Sequence, residues 1–205
     1  MKLSKASPET LKAAARIVAE GGVIAYPTDT VYGLGCDPFN EHALMRLLEI
    51  KQGRQKPFPV LAASKEEVKK IVAWNEAADR LAQMFWPGQL TIVLRLRVTL
   101  PRSLTGGGDT LAVRVPGSPL ALRLLALCKG LLVGTSANLP DAKPPATAEE
   151  VAQSLGDRVD LIVDGGETPI KVASTVVDVS TGKLILVREG AVKRSLLYGV
   201  FEGRV

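Results

Sequence analysis

The residues of this chain whose types and spacing suit chemistry are hydroxyls, amides and cations gathered where apolar runs end. Thr28 and Thr30, within "YPTDTVYGLGCD" at 26–37, follow Val23-Ile24-Ala25. Thr135-Ser136-Ala137-Asn138 follows the run Leu131 to Gly134, and Asp164-Gly165-Gly166 follows Leu161 to Val163. A turn needs fewer hydrogen-bonding groups than the first cluster holds, so that segment reads as ligand-facing groups on flexible backbone. Taken singly, each cluster is also compatible with turn chemistry and helix capping. Fixed positive charge comes from Lys51 and Arg54 in "IKQGRQKP", Arg114 in "LAVRVPG" and Arg188 in "LVREG". Arg114 interrupts an apolar strand between Val113 and Val115; on its own it could mark nothing more than an exposed alternate face. Lys51 and Arg54 equally suit the solvated end of a helix, where cations complement the dipole.

Other chemistries lack their parts. There is no GxxxxGK[ST] loop and no GxGxxG after a strand, and "TGGGDT" at 105–110 has neither the lysine nor the strand context of a phosphate cradle, so it reads as a mobile loop. The single histidine, His42, sits at a helix start and reads as a surface residue, which removes Ser-His-Asp logic. Cys36 and Cys128 are too few and too far apart for a disulfide framework or a zinc site and read as packing thiols. What remains is a pocket of hydroxyls, amides and positive charge without an evident nucleophile or acid–base pair. Such a pocket suits an anionic nucleotide and a second reactant, with catalysis by orientation and charge neutralisation.

The elements that must position these groups follow from periodicity. Ser7-Pro8 opens a helix that stops at Gly21-Gly22; further helices are expected at 43–50, 65–73, 76–85, 118–127 and 147–155, the last with a Thr147–Glu150 capping box. Strands are expected at 23–26, 58–63, 90–96, 111–115, 131–134, 161–163, 174–179 and 184–187. Helices and strands mix without strict alternation, so the fold class is α/β, with a twisted mixed sheet of parallel and antiparallel strands flanked by helices. No linker or repeat divides the 205 residues, so 1–205 reads as a single domain. Ligands in open α/β sheets bind beyond strand ends, which would let the clusters face one concave pocket. Hydrophobic residues make up 46% and charged residues 23%, the profile of a globular chain, and the net charge of +5 favours anionic partners. No window approaches ~18 consecutive apolar residues and no signal peptide is evident, so the expected location is the cytoplasm, without a membrane partner.

In order, "YPTDTVYGLGCD", "FWPGQLTIVL", "LAVRVPGSPLA", "GTSANLPDAKPPAT" and "DGGETPIKVASTVVDVS" with "LVREG" resemble the motif succession of the YrdC-like family, the threonylcarbamoyl-AMP synthases, in its short form. The resemblance covers about 23–190. It implies a YrdC-like fold with a basic concave pocket, and a reaction of L-threonine, bicarbonate and ATP giving threonylcarbamoyl-AMP and pyrophosphate for threonylcarbamoyladenosine in tRNA. By position, Lys51, Arg54, Thr110, Ser136, Asn138 and Arg188 match nucleotide-facing residues. Thr28, Thr30, Arg114, Thr135 and Ser174 match threonine-facing residues, with Arg114 gripping the carboxylate through a bidentate pair. Mg²⁺ would come with ATP, held mainly by its phosphates, with no tightly bound cofactor and no protein metal site. A tRNA or double-stranded RNA contact and a downstream tRNA threonylcarbamoyltransferase are implied partners.

The chain departs from the family pattern in two places. Lys51-Gln52-Gly53-Arg54 holds one residue more than K-x-R, with Lys56 available as a substitute, and Ala63 stands where relatives often have histidine. The tail 191–205 lies outside the motifs; Leu196, Leu197, Tyr198 and Phe201 would let it act as a short flap. Two other readings remain open. One is an RNA-binding module without turnover, although only 4% of residues are aromatic and they are dispersed. The other is carbamoyl-adenylate chemistry on a different substrate.

Overall fold

The computed structural model describes residues 2–53 and 56–204. Its strands fall into two sheets. The five-stranded sheet contains β1 (Lys2–Lys5), β2 (Ile24–Pro27), β3 (Tyr32–Gly35), β8 (Thr135–Ser136) and β9 (Leu161–Asp164), in the order β1-β9-β2-β3-β8. The six-stranded sheet contains β4 (Val60–Ala62), β5 (Leu90–Arg95), β6 (Thr110–Arg114), β7 (Leu131–Val133), β10 (Thr175–Asp178) and β11 (Ile185–Arg188), in the order β11-β10-β5-β6-β4-β7. Both mix parallel and antiparallel pairs: β2 lies parallel to β9 and antiparallel to β3, and β5 lies parallel to β10 and antiparallel to β6. The expected mixed sheet is therefore shared between two sheets. The run 131–136 steps from one to the other, pairing first as β7 with β4 and then as β8 with β3.

The helices begin where the sequence supplies a cap. In α1 (Pro8–Ala19) the Ser7 hydroxyl accepts the Thr10 amide at 3.1 Å, and Pro8 takes the first position, where its missing N–H costs nothing. In α7 (Ala148–Leu155) Thr147 and Glu150 close the capping box from both sides. The remaining helices are α2 (Glu41–Ile50), α3 (Lys65–Ile71), α4 (Glu76–Phe85), α5 (Arg102–Thr105), α6 (Pro119–Leu127) and α8 (Arg194–Phe201). The period of two in the strands divides their side chains. Leu90, Ile92 and Leu94 of β5 and Leu111 and Val113 of β6 enter a core with α2, α3, α4, α7 and α8. Ile24 and Tyr26 of β2 and Leu161 and Val163 of β9 face a second core built with α1 and α6. The alternate residues of β5 and β6 are left to face a cavity.

Three regions differ from the sequence expectation. The segment 26–37 is not flexible: it is the β2–β3 hairpin, buried throughout from Tyr26 to Cys36. Its glycines serve close approach, since a Cβ on Gly35 would come within 2.7 Å of both Leu132 Cδ2 and the Tyr26 ring. The tail is not a flap. Its helix α8 packs on α4, Leu197 and Val200 enter the main core, and none of its described residues lines the cavity. Finally β1 forms an edge strand from Lys2, Leu3, Ser4 and Lys5, a mostly exposed stretch without apolar alternation. No helix among the described residues is long and apolar enough to cross a membrane.

Candidate functional site

At the seam between the sheets lies a cavity of about 530 Å³, within the range of roughly 300–1,000 Å³ usual for small-molecule sites. The floor is the free face of the six-stranded sheet: Thr91 and Val93 from β5, Thr110, Ala112 and Arg114 from β6, and Val176 from β10. The β2–β3 hairpin supplies Thr28, Thr30, Val31, Tyr32 and Gly33, and the crossing segment supplies Gly134, Thr135 and Ser136. Lys56, Ser174 and Arg188 complete the polar lining. Among the described residues the lining holds three cations and no carboxylate.

Arg114 is the most tightly held of these groups. It is 4% exposed, so its alternate strand face is a buried one, turned to the cavity. Nε donates to the Gly88 carbonyl at 2.7 Å, Nη1 to Thr30 Oγ1 at 3.0 Å, and Nη2 to Asp29 Oδ1 in a buried ion pair. Gln89 Nε2 donates to the other Asp29 oxygen at 3.1 Å. Guanidinium carries five N–H groups, so two remain uncommitted, one on each terminal nitrogen. Burial pulls the guanidinium below its ordinary pKa; the charge and hydrogen bond of Asp29 oppose that pull without cancelling it.

The hydroxyls have both local and outward roles. Thr28 Oγ1 donates to the Val31 carbonyl at 2.7 Å and accepts the Thr30 amide at 3.1 Å, which closes the hairpin turn. It also meets Thr30 Oγ1 at 3.0 Å, linking the turn to Arg114. Ser174 Oγ and Thr91 Oγ1 lie 2.8 Å apart. Arg188 clamps the Ser174 carbonyl through Nη2 at 2.7 Å and Nε at 3.2 Å, and partial burial lowers its pKa. Thr110 lines the cavity from the first position of β6, after Gly106 and Gly107 have ended α5 with positive φ.

Lys51 and Asn138 lie outside this lining. Lys51 is 4% exposed, and its ammonium donates to the carbonyls of Ser136 and Asn138 at 3.1 and 2.5 Å, tying α2 to the segment that carries Ser136. The Asn138 amide donates to the carbonyls of Leu139 and Ala142, and its buried Oδ1 has no protein partner. Lys56, not Lys51, is among the residues that line the cavity. Arg54 lies outside the described residues. Ala63 does not reach the cavity; from its strand segment Pro57, Pro59 and Leu61 do. The cluster at 164–166 also stays out: the Tyr32 hydroxyl donates to the Gly166 carbonyl at 2.8 Å and accepts the Gly165 amide at 3.2 Å.

Several residues escaped the sequence reading. Thr91 had a signal, a polar residue inside the strand "LTIVL"; Asp29 was hidden between two threonines, and Gln89 had no pattern at all. The thiols are packing groups, with burial pushing Cys36 up to about 12 and Cys128 to about 11. No group of three or more His, Cys, Asp or Glu residues that could hold a metal occurs among the described residues. Trp74 and Trp86 pack on each other against the core, 5.9 Å apart, and Tyr26, Tyr32 and Phe58 are fully buried.

Residues 16–190 match the Sua5/YciO/YrdC family, which carries the description "Telomere recombination". The chain is 40% identical over 183 residues to threonylcarbamoyl-AMP synthase of Pyrococcus abyssi (strain GE5 / Orsay), covering 88% of this chain and 54% of that protein. It is 39% identical over 180 residues to the protein of the same name from Klebsiella pneumoniae subsp. pneumoniae, covering 86% and 94%. The crystal structure of P. abyssi Sua5 complexed with L-threonine superposes with a TM-score of 0.91 at 36% identity, over 97% of this chain and 60% of that one. The chain thus spans a little over half the length of the Pyrococcus relative and nearly all of the Klebsiella one.

Proposed function

The chain belongs to the Sua5/YciO/YrdC family, and from that premise we propose that it is a threonylcarbamoyl-AMP synthase. L-Threonine, bicarbonate and ATP would give threonylcarbamoyl-AMP, pyrophosphate and water. The threonine amine combines with bicarbonate to a carbamate, losing water; a carbamate oxygen then attacks the α-phosphorus and the bond to pyrophosphate breaks. The observation that carries this reading is a buried arginine with two uncommitted N–H groups, set among hydroxyls in a cavity whose other cations, among the described residues, are Lys56 and Arg188.

In this assignment Arg114 receives the threonine carboxylate end-on through its two remaining N–H groups, charge-assisted and directional. Thr28, Thr30, Thr135 and Ser174 surround the rest of the amino acid. Thr110, Ser136 and Arg188 meet the nucleotide, with Lys56 beside the phosphates and Arg54 assigned there by family position. Lys51 acts by holding the Ser136–Asn138 carbonyls, and the orphaned Asn138 Oδ1 is an acceptor suited to a donor on the nucleotide. With no carboxylate in the lining, the residues do not fit a resident metal; Mg²⁺ enters as part of the MgATP substrate, where it neutralises phosphate charge. The rate comes from alignment and charge stabilisation, since no side chain here supplies a nucleophile. The product would pass in the cytoplasm to a tRNA threonylcarbamoyltransferase, and any RNA contact would run through backbone phosphates.

The test is pyrophosphate release by the purified chain with ATP and Mg²⁺, omitting L-threonine and bicarbonate in turn, with the adenylate identified by mass. Release that needs both, with the mass of threonylcarbamoyl-AMP, is the expected result. Release supported equally by another amine would overturn the substrate assignment, and nucleotide-independent RNA binding without turnover would overturn the enzyme.

A further inference from the structure

The proposed chemistry leaves one buried charge without a task. Asp29 is 5% exposed and does not line the cavity, yet both of its oxygens are engaged, Oδ1 by Arg114 Nη2 and Oδ2 by Gln89 Nε2 at 3.1 Å. Gly117 leaves room for it: a Cβ there would stand 3.0 Å from Asp29 Oδ2 and 3.4 Å from Gly88 Cα. Gly88 is the residue whose carbonyl holds Arg114 Nε, so the hairpin turn, the end of β6 and the segment before β5 converge on a single guanidinium.

We propose that Asp29, held by Gln89 and given room by Gly117, is a positioning residue that fixes Arg114 for the amino-acid carboxylate and keeps that half of the cavity from taking phosphate. The inference rests on the reading of Arg114 as the carboxylate receptor. Two physical effects combine. Committing three of five N–H groups to protein removes the side chain's freedom before binding, so the remaining two meet the ligand already aligned. The second effect is charge. A buried guanidinium without a counterion would attract any anion at hand, and the enzyme works amid triphosphate and pyrophosphate. Asp29 neutralises it in place, so the pair offers directional donors with no net charge. Lys56 and Arg188, the other cations of the lining, remain the places where phosphate charge is met.

The experiment compares the full chain with Asp29→Asn, Gln89→Leu and Gly117→Ala, reading L-threonine and ATP affinity, competition of threonine by inorganic phosphate, and hydrogen exchange at the Arg114 Nε–H resonance. Asp29→Asn is expected to weaken threonine about tenfold or more, the loss of one charged hydrogen bond, while ATP affinity stays within about twofold. Inorganic phosphate should displace threonine from the variant and not from the wild type, a change that general loosening would not produce. The Nε–H should exchange faster. Gln89→Leu and Gly117→Ala should show the same pattern at a few-fold, about 3 to 5, and they carry the test if Asp29→Asn does not fold. Threonine and ATP weakening together, with phosphate competition and Nε–H exchange unchanged, would overturn the proposal. A wild type that binds no threonine, but whose Arg114 exchange still depends on Asp29, would uphold the positioning and overturn the amino-acid reading beneath it.

Discussion

Two arginine–aspartate pairs cross between distant parts of this chain, and they are built differently. Arg46 of α2 meets Asp160, just before β9, fork to fork, with Nη1–Oδ2 at 2.9 Å and Nη2–Oδ1 at 3.0 Å, and Asp160 Oδ2 also caps the Val23 amide at 2.8 Å. Its side chains are 33% and 36% exposed, whereas those of Arg114 and Asp29 are 5% and 6% exposed. The outer pair is matched two nitrogens to two oxygens, and its further contacts, the Val23 amide on Asp160 and the Gly21 carbonyl on Arg46, are to backbone. The inner pair is divided, with Asp29 shared with Gln89 and Arg114 shared with Gly88 and Thr30. The arginines respond oppositely. The hydrogen bond that Arg46 donates to Asp160 raises the pKa of Arg46, while at Arg114 burial outweighs the attraction of Asp29 and lowers it. A pair that ties two elements together satisfies itself near water; a pair that serves a ligand lies deep and keeps donors in reserve.

The largest predicted effect follows from depth. Arg114→Leu leaves the Asp29 carboxylate buried beside only Gln89, and breaking a buried pair on one side costs about 3–5 kcal/mol. The urea midpoint should fall accordingly, and threonine-dependent pyrophosphate release should fall about 100-fold or more with loss of the charged contacts. The double variant Arg114→Leu/Asp29→Leu sharpens the point. Removing both charges should restore most of the stability, because neither ion is then stranded, and none of the threonine dependence. If the double variant were as unstable as the single one, the stranded charge would not be the source of the loss.

The same contrast explains what could be read from the sequence. Arg114 was conspicuous because a cation inside an alternating apolar strand breaks the pattern, and the structure turns that break inward to the cavity. Strands β2, β5, β6 and β9 were legible because each is an apolar run with both faces covered or with clean alternation. β3 was not, because "YGLG" holds two glycines, and glycine signals turns when read alone; only the packing shows that at Gly35 Tyr26 and Leu132 leave no room for a side chain. α8 read as a tail because only its partner α4 makes sense of its apolar face. Asp29 and Gln89 carried no readable role, since a buried ion pair is made by residues 85 apart and neither residue type announces its partner. Lys51 was legible as a cation, but its hold on the Ser136 and Asn138 carbonyls exists only once α2 packs beside the crossing segment.

The smaller effects test the outer pair. Asp160→Ala removes the acceptor of the buried Val23 N–H as well as the ion pair, and an orphaned buried donor costs about 1–3 kcal/mol. Threonine and ATP affinity should not change, because neither Arg46 nor Asp160 lines the cavity. Asp160→Asn keeps an acceptor for Val23 and loses only the charge, so its cost should be about 0.2–1 kcal/mol, as for solvent-screened pairs. Its signature is the pH dependence. Partial burial would raise the Asp160 pKa, but the hydrogen bonds from Arg46 and the Val23 amide and the charge of Arg46 outweigh it and hold the carboxyl below its ordinary 3.8. A group depressed on folding contributes stability that is complete above its unfolded value and disappears as pH falls through its folded value. The wild type should therefore exceed Asp160→Asn in stability above about pH 5, with the difference shrinking through the acid range below 3.8 and vanishing once both carry a neutral side chain. A difference that persisted undiminished below about pH 2 would mean that shape, not charge, holds α2 to the strand entrance, and the outer pair would then be no ion pair in the energetic sense.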